Sequence, residues 1–342
     1  MNRVVLSEPA LPSRKDIPSN SQFVLRSIAV LDRNRPHGDP QDEAAMDVLL
    51  HRLFRAGRHD IALGRLFEGH VDALQILSRY GSEEDLQSLR AGGNEHPVLG
   101  VWNAEGPDHR LTFDGDRITG GKSYASGAGI LNHALVTTSA GTPAVQLHLV
   151  DLKGASPETD ESWWNVSGMK QSATHRVSWQ GAKARPIGSP GDYEREPWFS
   201  GGALRFTAVQ AGGIAGLTDA VRNHLVTLHR QDDPVQQRRL AELFGLASAA
   251  TATVRQTGRE IVRGDDEEGG AKVANARNLI YRFGEEAIAI AQRACGTAAY
   301  FRDNPVCRFA QDLGMYIRQP GPDAQWAKVG KAVANGALDP WQ

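Results

Sequence analysis

Between about Gly92 and Asp192 the chain loses all helical periodicity, while long amphipathic helical patterns run on both sides of that stretch. The middle is rich in glycine and dotted with aromatics. It holds Gly100-Val101-Trp102-Asn103-Ala104-Glu105-Gly106-Pro107, then Gly120-Gly121-Lys122-Ser123-Tyr124-Ala125-Ser126-Gly127, then Gly168-Met169-Lys170-Gln171-Ser172-Ala173-Thr174. A run of one element type followed by a run of another builds segregated layers, not a βαβ alternation. The class expected is α+β. The order is an N-terminal helical domain (41–95, after a partly ordered segment 1–40), a small antiparallel β-domain (96–195) and a C-terminal helical bundle (196–342).

On the N-terminal side, Leu63, Leu66, Phe67, Val71, Leu74 and Leu77 recur at three- to four-residue steps and form one apolar helix face. Ala44–Ala56 carries a similar set, and a short helix or strand is expected around Phe23–Leu31. Ser82 before Glu83-Glu84-Asp85 reads as an N-cap with an acidic first turn. In the middle, Val145, Leu147 and Leu149 alternate with Gln146, His148 and Val150, a period of two. Ala134–Thr138 and Arg176–Gln180 are further short strands. Asp114-Gly115 marks a hairpin between Leu111–Phe113 and Asp116–Thr119. These strands fit a small barrel or a sandwich.

Helical texture returns after Pro197. Gly201–Leu228 is rich in small residues, which admit either another helix backbone or a planar ligand. Pro234 opens a further helix, where its missing N–H costs little. The acidic, glycine-bounded run Gly264–Gly270 reads as a solvated loop. A last long helix covers Ala271–Gly296, and Pro305, Pro320 and Pro322 punctuate the remainder.

Composition narrows the function classes. The 342 residues carry a formal net charge of −2, which argues against a nucleic-acid partner, since phosphate backbones call for a basic surface. Cys295 and Cys307 lack metal-ligand spacing, so no metal site is expected, and two small buried residues in a reducing, cytoplasmic setting account for them. No apolar run reaches the ~20 residues that span a bilayer. No Gly-rich dinucleotide loop follows a strand, and no nucleoside-triphosphate loop is present.

The three glycine-rich segments, in their order and separation, resemble the central β-domain of the acyl-CoA dehydrogenase family, and the likeness extends over roughly Ala44 to Gln325. The family's Thr-Glu-Pro-Gly segment is matched by Asn103–Pro107, with Gly and Pro exchanged. The stretch that flanks the flavin ring is matched by Ser123–Ser126, with Ser123 where the family places a stacking Trp. The resemblance implies FAD in a cleft between the β-domain and the C-terminal helices, a four-helix bundle at the C-terminus, and a homodimer or homotetramer with a shared flavin site. The cofactor-binding positions it implies are Val101, Asn103, Ala104, Ser123, Ala125, Ser126, Arg230 and Gly296. Arg230 is the candidate to replace the family's pyrophosphate-binding arginine motif. Gly296 lies in Ala294–Thr297, which with Gln311-Asp312 is similar to a segment contacting a neighbouring subunit's FAD.

The implied chemistry is α,β-dehydrogenation of an acyl thioester, with hydride transfer to flavin N5 and an electron-transferring flavoprotein as oxidant. That reaction needs a desolvated carboxylate to remove the α-proton. The family's glutamate position falls on Pro320, and an alternative position on the first C-terminal helix falls on Phe206. Asp323 is therefore the candidate base. The runner-up is a flavin-dependent monooxygenase on the same fold, which needs no such base and would be served by a flavin reductase. His96, His133, His175 and Ser126 are its candidate polar groups. A third reading is a catalytically inactive binding or assembly relative.

Overall fold

The computed structural model describes residues 9–34, 38–91, 96–106, 110–264, 266–318 and 321–340. Among these residues four α-helices come first: α1 (Asn20–Asp32), α2 (Glu43–His59), α3 (Ile61–Tyr80) and α4 (Glu83–Ala91). Phe23 and Val24 are fully buried on one face of α1, which covers the short helix or strand expected around Phe23–Leu31. Residues 1–8 lie outside the described residues. Asp60 ends α2 and caps α3, its carboxylate accepting from the Leu63 N–H at 2.9 Å. At α4, Ser82 Oγ accepts the Asp85 N–H while Asp85 accepts the Ser82 N–H, a reciprocal cap of the expected kind.

Among the described residues eight strands follow: β1 (Leu99–Trp102), β2 (Thr112–Asp114), β3 (Arg117–Ala125), β4 (His133–Thr138), β5 (Gln146–Asp151), β6 (Glu158–Asp160), β7 (His175–Lys183) and β8 (Arg185–Ile187). They form two four-stranded sheets, ordered β1-β4-β5-β8 and β2-β3-β7-β6. The second sheet is antiparallel, and its β2–β3 hairpin turns on Gly115, whose φ is +62°. The first is mixed, because β1 runs parallel to β4. The antiparallel expectation fails there for a topological reason. After β1 the chain crosses to the other sheet for the hairpin and returns in β4, which brings two strands of the same direction together. All six residues of β4 are buried, so no alternation marks that strand.

The C-terminal side holds α5 (Trp198–Thr227), α6 (Pro234–Arg263), α7 (Asp266–Cys295), α8 (Pro305–Tyr316) and α9 (Pro322–Ala334). Helix α7 begins five residues before the expected Ala271, so Glu268, Gly269 and Gly270 belong to its first turns and not to a loop. Acidic residues in a first turn favour the helix dipole, and that outweighs the glycines. Helix α5 is the axis of the assembly and packs against α2, α3, α6, α7 and α8. Its small residues serve that packing. A Cβ on Gly212 would strike the Phe54 carbonyl of α2, and one on Gly216 would stand 2.5 Å from the Arg58 carbonyl and from the Phe309 ring. In turn, a Cβ on Gly57 of α2 would strike the Val209 carbonyl of α5. Backbone approach, not a planar ligand, explains the glycines in the middle of α5. No described helix is long and apolar enough to cross a membrane.

Overpacking at such a contact costs about 1–3 kcal/mol. Gly212→Ala is expected to destabilise the protein by about 2–3 kcal/mol in urea denaturation, whereas an unchanged midpoint would contradict the backbone contact.

Candidate functional site

A cavity of about 820 Å³ opens where the β-domain meets the helices, within the size range of small-molecule and cofactor sites. Its β-side wall is made by Val101, Asn103, Ala104, Tyr124, Ser126, Trp164 and the 169–174 loop. The opposite wall comes from α3, the start of α5, the first half of α7, the end of α8 and one face of α9.

A β-bulge in β3 sets the β-side wall. The β3–β7 register shifts between Lys122 and Ala125, and Tyr124 has a φ of +54°. Tyr124 thereby turns its ring outward to the cavity, edge-on to Trp163 and Trp164 with ring centroids 4.9 and 6.2 Å apart. Its neighbours Ser123 and Ala125 are buried behind it. Of the eight expected cofactor positions, four line the cavity: Val101, Asn103, Ala104 and Ser126. Ser123 lies behind the wall, donating its N–H to the Ala104 carbonyl at 2.9 Å, and Ala125 is fully enclosed. Tyr124 stands between them at the surface that they were expected to provide.

Arg230 and Gly296 lie elsewhere. Arg230 is in the turn between α5 and α6 and pairs with Asp233 at 2.7 Å, while Gly296 (φ +58°) follows α7. Neither lines the cavity. Asp323 is exposed in the first turn of α9 and also stands outside the lining, to which the same helix contributes Gln325 and Lys328. Pro320 lies outside the described residues. Phe206 does line the cavity, with the Arg277 guanidinium 5.1 Å above its ring. His96, His133 and His175 are absent from the lining. Burial lowers the affinity of His133 and His175 for a proton.

A chain of hydroxyls runs along the β-side wall. Ser172 Oγ and Thr174 Oγ1 are 2.7 Å apart, and Thr174 Oγ1 donates to Ser126 Oγ at 2.9 Å. That leaves the Ser126 O–H to face the cavity. Asn103 is fixed from behind. The fully buried Lys122 ammonium donates to the Asn103 carbonyl at 3.1 Å, to Glu105 at 2.8 Å and to Thr137 Oγ1 at 3.0 Å. Burial lowers the Lys122 pKa and Glu105 opposes that shift.

The 169–174 loop is held by α8. Asp312 accepts the Met169 N–H at 2.5 Å, and Gly168 lies so close to the Gln311 carbonyl that a Cβ would strike it. Asp312 therefore makes an internal tie, although the resemblance pointed to a contact with a neighbouring subunit. Burial pushes the Asp312 carboxyl up to about 6, against the opposing Met169 hydrogen bond.

The helical wall carries residues that the sequence reading passed over. Arg65, Glu68, Asp72 and Arg79 follow one another at steps of three, four and seven on α3 and all line the cavity. Arg65 Nη1 is 2.5 Å from Glu68 Oε1, and Arg205 of α5 pairs with Asp72 and donates to Gln75 Oε1 at 2.7 Å. Burial raises the Glu68 pKa, with Arg65 opposing. The lining holds six cations (Arg65, Arg79, Arg205, Arg277, Arg318, Lys328) and two carboxylates. It also includes Ser200, Gly202 and Gly270, from the first turns of α5 and α7. Helix N-termini beside a cationic excess suit a phosphate. With aromatic rings and a hydroxyl on the facing wall, this donor set fits a flavin phosphate ester.

No protein-family model matches the chain, and no curated protein matches it by sequence. Solved structures do match. TdsC from Paenibacillus sp. A11-2, solved with FMN and indole, is 19% identical, with 94% of this chain and 97% of that one covered and a TM-score of 0.72. Butyryl-CoA dehydrogenase from Megasphaera elsdenii is 14% identical, covers 92% and 89%, and also has a TM-score of 0.72. The HsaA monooxygenase from M. tuberculosis is 15% identical, with 86% and 84% covered and a TM-score of 0.66.

This chain has the acyl-CoA dehydrogenase-like fold. At these identities the likeness is one of fold, and it includes the helical, β and helical layers read from the sequence.

Breaking a buried pair leaves an uncompensated charge and costs about 3–5 kcal/mol. Lys122→Met is expected to lower stability by about 3 kcal/mol in urea denaturation; a wild-type midpoint would show that Lys122 does not hold the Asn103–Glu105 turn. Asp312 gives a pH-dependent counterpart. Its native pKa lies above the unfolded value of about 3.9, so its stabilising contribution is complete below that value and is lost as pH rises through about 6. Asp312→Asn keeps an acceptor for Met169 and removes the titration. The wild-type melting temperature should fall from pH 5 to pH 8 more steeply than that of the variant, and parallel slopes would exclude the assignment.

Proposed function

We propose that this chain is a flavin-dependent monooxygenase that uses FMN in the cavity between the β-domain and the helices. The observation that carries the reading is the character of the β-side wall. It presents Tyr124, Trp164 and the outward hydroxyl of Ser126, and it carries no carboxylate among the described lining residues. Both carboxylates of the cavity are on α3, and both are engaged by arginines. Oxygenation by reduced flavin needs a hydrogen-bond donor near the ring, whereas dehydrogenation of an acyl thioester needs a free carboxylate at the α-carbon. Asp323 points to neither role from its exposed position. Solved structures of the same fold include TdsC, described as a dibenzothiophene monooxygenase and solved with FMN.

The roles follow from placement. Val101, Asn103 and Ala104 offer backbone edge to the ring, and Lys122 keeps Asn103 in place. Ser126 donates, its oxygen already accepting from Thr174 Oγ1. The cations of the helical wall take the phosphate. The flavin supplies the electrons and the site of oxygen activation. A flavin reductase is the partner expected, and Arg230 and Gly296 keep their proposed part only if a neighbouring subunit brings its cofactor to them.

The test is a flavin titration followed by an anaerobic challenge with butyryl-CoA and palmitoyl-CoA. FMN is expected to bind, Ser126→Ala to weaken binding about tenfold, and neither thioester to bleach the band near about 450 nm. Bleaching would restore the dehydrogenase reading, and failure to bind any flavin would overturn both.

A further inference from the structure

The loop that carries Ser172 and Thr174 is held from a second direction, by the segment that precedes α1. Residues 9–17 are tied to α2, with the Pro9 carbonyl accepting from Arg55 Nη2 at 2.8 Å and the Pro12 carbonyl from His59 Nε2 at 2.9 Å. Arg14 lays its guanidinium over the Phe23 ring, 4.0 Å from the centroid, and donates from Nε to the buried Asp60 carboxylate at 3.1 Å. Its Nη1 donates in two further directions, to Asn20 Oδ1 at 2.6 Å and to Gln171 Oε1 at 3.3 Å. Asn20, the first residue of α1, donates from Nδ2 to the Gln171 carbonyl at 2.9 Å.

We propose that Arg14 and Asn20 are positioning residues of the site. They hold Gln171 from outside the cavity and thereby set the 169–174 loop, with its hydroxyls, against Ser126. What the loop serves rests on the flavin-site reading above; the hold on the loop does not.

The loop is one that needs holding. Met169 and Ala173, with φ of +57° and +44°, flank the short turn Lys170–Ser172. A side chain disfavours that left-handed region, and such a conformation persists only where its surroundings over-determine it. Asp312 fixes the start of the turn at the Met169 N–H, and the N–H groups of Gly127 and Ala128 fix its end at the Ser172 and Ala173 carbonyls. Gln171 stands exposed between those ties, where Arg14 and Asn20 meet both its side chain and its carbonyl. The contact has a fixed polarity. A guanidinium has no acceptor, so Asn20 turns Oδ1 to Arg14 and Nδ2 to the loop. The two holds also share an anchor. Asp60, which receives Arg14, lies 3.4 Å from Arg308 Nη1 of α8, the helix that supplies Asp312.

Asn20→Asp reverses one contact and spares the others. The carboxylate keeps an acceptor for Arg14, suits the first turn of a helix, and sets an oxygen against the Gln171 carbonyl. Hydrogen–deuterium exchange in a peptide spanning 169–174 is expected to quicken about fivefold, with the melting temperature at or above the wild-type value. FMN affinity is expected to fall about threefold. In a Ser126→Ala background the same substitution is expected to weaken FMN no further, because the hold acts through the hydroxyl chain. Wild-type exchange in Asn20→Asp, faster exchange throughout the chain, unchanged FMN affinity, or a loss that adds in full to that of Ser126→Ala would each overturn the proposal. If the wild-type protein binds no FMN the flavin reading falls by itself, and the exchange comparison still decides whether Arg14 and Asn20 hold the loop.

Discussion

The contact between α8 and the 168–169 turn is the constraint on which the site depends. The helical layer and the β-domain share a hydrophobic core, with α3 packed on β1, and the cavity opens beside that core. Gly168 lies against the Gln311 carbonyl and the Met169 N–H is held by Asp312, so the loop that carries Ser172 and Thr174 is fixed relative to α8. The tie sets the distance of the hydroxyl chain from α8, and α3 packs against the same loop from the other side. The tie is made by a buried carboxyl that burial pushes up to about 6, so the geometry is held partly against the cost of desolvation.

Behind the tie stands the rigidity of the helices. Helix α5 meets α2 with backbone against backbone, through Gly57 and Gly212, and the small residues leave no slack for rotation. This fixes the start of α5 beside α7, where Ser200, Gly202 and Gly270 reach the cavity. The two walls then differ in kind. The β-side wall is neutral and hydroxylic, backed by the buried Lys122–Glu105 pair. The helical wall is ionic, with Arg65–Glu68 and Arg205–Asp72 in a setting of reduced dielectric. One wall suits an aromatic ring system, and the other suits a phosphate and a polar substrate group.

Much of this was legible in the chain, and the failures have physical causes. The helical, β and helical order follows from texture alone. The hairpin at Gly115, the cap at Ser82 and the helix start at Pro234 follow from local chemistry. The mixed sheet did not, because strand direction depends on where the chain crosses between sheets. Ser123 and Ala125 were expected at the ring from the family resemblance, and a bulge that places Tyr124 at positive φ puts Tyr124 at the cavity in their place. Glu68 was hidden by the apolar stripe of α3. That helix is buried almost all round, so its second, charged face looks like a solvated side when read by periodicity. The usable signal was the spacing of Arg65, Glu68, Asp72 and Arg79 on a helix otherwise too apolar to be exposed.

The most direct measurement is a crystal structure of the protein grown with FMN. The predicted result is a flavin ring against Tyr124, Trp164 and Ser126, its edge at Asn103–Ala104, and its phosphate toward the helical wall with Glu68 left uncovered. A flavin bound outside this cavity, or one whose ring lies over Glu68 with the β-side wall empty, would contradict the assignment of the two walls.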